Sequence, residues 1–72
     1  MKYIAEYAVS HLGNTRTGNV VLPGESVPKV GDIFDVRIEG YKIPVRIDSV
    51  VGLRKELFGV QHASVVCSPY RT

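Results

Sequence analysis

Apolar and polar residues alternate strictly on both sides of Gly40. Phe34, Val36 and Ile38 interleave with Asp35, Arg37 and Glu39, and beyond the glycine Tyr41, Ile43, Val45 and Ile47 interleave with Lys42, Pro44, Arg46 and Asp48. A period of two is the signature of a strand with one buried face. A two-residue loop at Glu39 and Gly40 makes Ile38 oppose Tyr41, Val36 oppose Ile43 and Phe34 oppose Val45, which gathers every apolar side chain on one face. A slip of one residue would scatter them. In this register Pro44 opposes Asp35, and because it has no N–H to give a ladder, the position is expected at a sheet edge or a bulge. Past Asp48 the same phase carries on through Val51 and Leu53, with Ser49 inward and Gly52 as a place to bend.

Other segments read in the same idiom. In "KYIAEYAVSH" Tyr3, Ala5, Tyr7 and Val9 share a face, "GNTRTGN" supplies turn residues, and "NVVLP" is a return strand stopped by Pro23 and Gly24. The loop "PGESVPKVGD" offers Val27 and Val30 to cover one end of the core, and "RKELF" suggests a single helical turn with Leu53 and Leu57 four apart. The final run "FGVQHASVVC" is apolar in both phases, with Val60 and Val66 on one side and Ala63, Val65 and Cys67 on the other. That predicts a central strand or one lying under a subunit contact. "SPYRT" reads as a loose tail. The expected fold is all-β: a small five-stranded barrel or strongly bent antiparallel sheet with at most one short helical turn. It resembles SH3-like or OB-like barrels in outline, a likeness that carries no function.

With 72 residues, 44% of them apolar and 22% charged, residues 1–72 are expected to make a single small β domain with a thin core. A partner subunit would enlarge it. The net charge of +2 is spread along the chain, so contact with nucleic acid is permitted but not demanded. Cys67 stands alone, which excludes an internal disulfide framework and makes a cytoplasmic setting the simplest expectation. Glu6 interrupts the first apolar run, and no stretch reaches the roughly 20 apolar residues of a membrane span, so neither export nor membrane contact is expected.

No reaction is written plainly in the chain. His11, His62 and Cys67 lack the paired spacing of a zinc site, and His62 and Cys67, five apart, fall on opposite faces of a strand. Ser64 beside His62 offers a hydroxyl and an imidazole but no nucleophile elbow, and Asp32, Asp35 and Asp48 have Arg37 and Arg46 at hand to pair with. "GNTRTGN" has neither P-loop nor dinucleotide spacing. We therefore expect no catalysis, no metal and no cofactor.

Binding is the remaining class. Arg37, Lys42 and Arg46 project from the polar side of the central hairpin, Arg16 and Arg54 are placed at loop tips, and Tyr41 or Tyr70 provides a ring for stacking. These features permit a nucleic-acid binder, although Asp35, Glu39 and Asp48 blunt the field. The two-phase last strand, the thin core and a free edge near Pro44 favour a protein partner or a homodimer, with adaptable tips at 14–17 and 54–56. The expected function is a non-enzymatic interaction or regulatory module; nucleic-acid binding is the alternative.

Overall fold

In the computed structural model, which describes residues 2–22, 24, 26–55 and 61–70, the chain forms five strands. They are β1 (Tyr3–His11), β2 (Asn14–Val21), β3 (Ile33–Ile38), β4 (Tyr41–Lys55) and β5 (Gln61–Pro69). One sheet contains them all, in the order β2-β1-β5-β4-β3. The hairpin β3–β4 has the register set by its alternation, with Ile38 opposite Tyr41, Val36 opposite Ile43, Phe34 opposite Val45 and Pro44 opposite Asp35. β5 is central, between β1 and β4, and its pairing with β1 is parallel while every other pair is antiparallel.

Both tight hairpins turn on two residues with positive φ: Leu12 (52°) and Gly13 (79°) join β1 to β2, and Glu39 (52°) and Gly40 (83°) join β3 to β4. This backbone has the hand of twist that lets antiparallel strands continue without splaying. The first turn therefore lies at 12–13, and of "GNTRTGN" only Gly13 belongs to it. Asn14 to Thr17 belong to β2, and Arg16 is a strand residue rather than a tip.

One apolar cluster fills the concave side of the sheet. β1 gives Tyr3, Ala5, Tyr7 and Val9, β3 gives Phe34, Val36 and Ile38, β4 gives Val45 and Ile47, and β5 gives Ala63, Val65 and Cys67. A flat sheet could not bring side chains from β1 and β3, three places apart, into one cluster. The sheet is curled into a half-barrel around them. The end of the cluster is covered by Leu22 and Pro28, both buried, whereas Val27 and Val30, expected in that role, are 50% and 58% exposed.

The curl has a local cause in β4. Its pairing with β5 skips a residue between Ile47 and Ser49, and again between Val50 and Gly52. Each extra residue is a bulge that bends the strand and reverses its phase. The residues opposite the buried Cys67, Val65 and Ala63 of β5 thus run Ile47, Val50, Leu53, three apart, in place of the unbroken alternation expected, and Leu53 is 57% exposed. Ser49 is exposed, not inward, and Val51 is turned out to 70% exposure. Arg54 and Lys55 continue β4 where the helical turn was expected; Glu56 to Val60 lie outside the described residues.

Pro44 is not at an edge, because β4 is flanked by β3 and β5. Its ring nitrogen points towards the end of β5, where the N–H of Tyr70 donates to the Pro44 carbonyl at 2.9 Å and receives no bond in return. The proline falls where the β5 ladder is finishing. Ser68 and Pro69, expected in the tail, are its last strand residues.

Candidate interaction site

An antiparallel ladder alternates hydrogen-bonded with non-hydrogen-bonded pairs, so a single bond fixes which backbone groups of a strand face each way. The Leu22 N–H donates to the Tyr3 carbonyl at 2.9 Å. Counting back in steps of two, Val20, Gly18 and Arg16 also turn their N–H and C=O towards β1, which leaves those of Val21, Asn19 and Thr17 pointing off the sheet. The same count applies to β3. The Ile47 N–H donates to the Asp32 carbonyl at 2.9 Å, so Phe34, Val36 and Ile38 bond to β4, and Ile33, Asp35 and Arg37 present their backbone groups outwards. No backbone hydrogen bond joins β2 to β3 among the described residues.

The curl brings these two edges opposite each other. Gly18, Asn19 and Val20 of β2 and Asp35, Val36 and Arg37 of β3 line one cavity of about 430 Å³, together with Tyr7 from the core and Lys42 on the rim. Cα atoms of β2 and β3 stand more than 8 Å apart along almost all of their length. Direct pairing would hold them at about 5 Å, and a strand placed between two others needs about 9–10 Å. The half-barrel is thus left with a slot between its edges. Arg16 and Glu39 span one end of it through a 2.7 Å ion pair. The β2–β3 connection, anchored by buried Leu22 and Pro28, bounds the other.

On the inner side of the slot lie Val20, Val36 and the ring of Tyr7, whose hydroxyl makes no hydrogen bond with any described residue. The ring lies across Gly18, where an added Cβ would stand 2.6 Å from the Tyr7 oxygen. Charges occupy the outer rim: Lys42 reaches Asp35 at 3.8 Å, while Arg37 has no carboxylate within 4 Å among the described residues. The rim is cationic by one charge.

The six residues expected to bind a partner do not form one surface. Arg37 and Lys42 oppose each other on the outer face as predicted, and Arg46 follows on the same side opposite Ile33. Tyr41 closes the hairpin and is 74% exposed. Arg16 is clasped by Glu39, and Arg54, towards the far end of β4, is clasped by Glu6 at 2.8 Å. Three of the five cations are therefore engaged with carboxylates, leaving Arg37 and Arg46.

Around Glu6 a second polar group forms on the convex face. Its Oε1 takes Arg54 at 2.8 Å and lies 3.2 Å from His62 Nδ1, and its Oε2 accepts the Ser64 hydroxyl at 3.5 Å. A nucleophilic serine needs a base on its hydroxyl and an acid behind the base. Here the carboxylate sits between serine and imidazole, so the order of that relay is not met. Cys67 is buried on the other face, and burial, helped by the Asp48 carboxylate, pushes its thiol up to about 11, well away from a reactive thiolate. No group of three His, Cys, Asp or Glu side chains among the described residues is placed to hold a metal ion. No described helix is long and apolar enough to cross a membrane.

Sequence reasoning missed the slot. No composition signal marks it, because it arises from two edges distant in the sheet, and only the strand count and the curl reveal it. Comparison with known protein families, characterised sequences and solved structures finds no match.

Proposed function

We propose that the chain is a non-enzymatic interaction module that binds a polypeptide, another protein or a second copy of itself, by adding strand to an unpaired sheet edge. One observation carries this reading: the curled sheet stops short of closure, with the backbone groups of Thr17, Asn19, Asp35 and Arg37 aimed at open space. Unpaired edges of this kind are templates for main-chain hydrogen bonding, and proteins that do not use them cover them, shorten them or charge them. Of the five candidate cations, the nucleic-acid alternative retains Arg37 and Arg46, since Lys42, Arg16 and Arg54 lean on Asp35, Glu39 and Glu6.

Sedimentation velocity over a wide concentration range, beside titration with single-stranded DNA and RNA at two salt concentrations, tests the reading. Concentration-dependent association, or a monomer with no affinity for either nucleic acid, agrees with it. Nucleic-acid binding that weakens steeply with salt, with a slope flattened by Arg37→Gln and Arg46→Gln, would overturn it.

A further inference from the structure

We infer that the slot between β2 and β3 is itself the recognition site, and that its occupant is an extended peptide segment of a partner, acidic on its outward side, inserted as a sixth strand that closes the barrel. This rests on the polypeptide-binding reading above and gives it a place and a chemistry.

The slot matches a strand in three respects. Its width excludes direct β2–β3 pairing, with Cα atoms mostly beyond 8 Å, yet an ion pair still bridges its end at 2.7 Å. Its walls present donors and acceptors from both edges, Thr17 and Asn19 on one and Asp35 and Arg37 on the other, so an inserted backbone is hydrogen-bonded on both sides. Its length, from Arg16 to Leu22, is about six steps of 3.4 Å, room for about five residues.

The two faces of the slot set the side chains. Every second residue of the peptide points inwards against Tyr7, Val20 and Val36, an apolar floor that suits small or branched side chains, with the Tyr7 hydroxyl open to a Ser or Thr among them. The alternate residues point outwards past Arg37 and Lys42, with Asp35 the single carboxylate lining that rim among the described residues. Asp or Glu is favoured there, and Lys or Arg is repelled.

The test uses blocked heptapeptide pools that alternate Val or Ala with either Glu or Lys, titrated into the isotope-labelled chain and followed amide by amide. The Glu pool is expected to shift and protect the amides of Thr17, Asn19, Asp35 and Arg37 and to bind several-fold more tightly than the Lys pool. Asn19→Pro removes an N–H that faces the slot and none that faces β1, and is expected to weaken binding about tenfold. Arg37→Glu, an exposed change that leaves the core alone, is expected to reverse the preference between pools. Equal binding of both pools to all three proteins would overturn the inference. So would shifts confined to other strands, an outcome that leaves the broader interaction reading standing, whereas silence with every pool joined to salt-sensitive RNA binding would remove both.

Discussion

Gly18 opposes Tyr7 across β1 and β2, and a Cβ there would lie 2.6 Å from the tyrosine oxygen and 2.9 Å from Cζ. A strand interior ordinarily gains from Gly→Ala, because the free chain loses freedom. At this position the buried ring cannot swing away without disturbing the core, so Gly18→Ala is expected to lose about 1–2 kcal/mol in urea denaturation. The same substitution in a Tyr7→Leu background should lose far less, because the obstructing ring is gone. Cys67 makes a second local prediction. Its thiol ionises at about 11 in the folded chain against 9.0 ordinarily, so the native state holds the proton more firmly. That stability is complete below about pH 9 and is lost as pH rises through about 11, on the order of 2 kcal/mol in all. Chemical denaturation between pH 8 and 11 should show the decline, and Cys67→Val should remove most of it. A disulfide-exchange reagent at pH 8 should label Cys67 only as fast as the protein unfolds.

The hairpins differ in how well their turns suit them. Glu39–Gly40 and Leu12–Gly13 both demand a left-handed first residue, and Leu12 meets that demand with an 86% exposed apolar side chain. Leucine in that conformation is strained by about 1 kcal/mol, and asparagine adopts it readily. Leu12→Asn should therefore raise the melting temperature by several degrees, with the fold unchanged in its amide spectrum. The Arg16–Glu39 pair, with side chains 41% and 68% exposed, is a different case, and Glu39→Gln should alter stability by less than about 1 kcal/mol. These elements also show what could be read in advance. The β3–β4 register was legible because seven apolar residues in strict alternation around one glycine permit a single pairing. The first turn was not, since nothing about a leucine announces a left-handed backbone. The run after Ile47 was legible only in part: Gly52 marked the bend where the second bulge falls, but the residues inserted at Asp48 and Val51 carry no mark of their own, and the phase assumed beyond them put Ser49 inside and Val51 in the core.

Taken whole, the molecule is a sheet that curls far enough to bury one core and not far enough to close. Its parallel β1–β5 pairing joins the first strand to the last, a contact that local patterning cannot foretell. The same long-range closure sets the two edges facing each other, which is why the basic residues of the central hairpin could be placed on the outer face while the slot beside them went unseen. Amide hydrogen exchange, resolved residue by residue on the free protein, tests this account most directly. The N–H groups of Thr17, Asn19, Asp35 and Arg37 should exchange rapidly while those of Gly18, Val20, Val36 and Ile38, bonded to β1 and β4, are protected, a strict alternation along each edge. Slow exchange at both sets would mean that β2 and β3 pair directly, and the barrel would then have no opening for a partner strand.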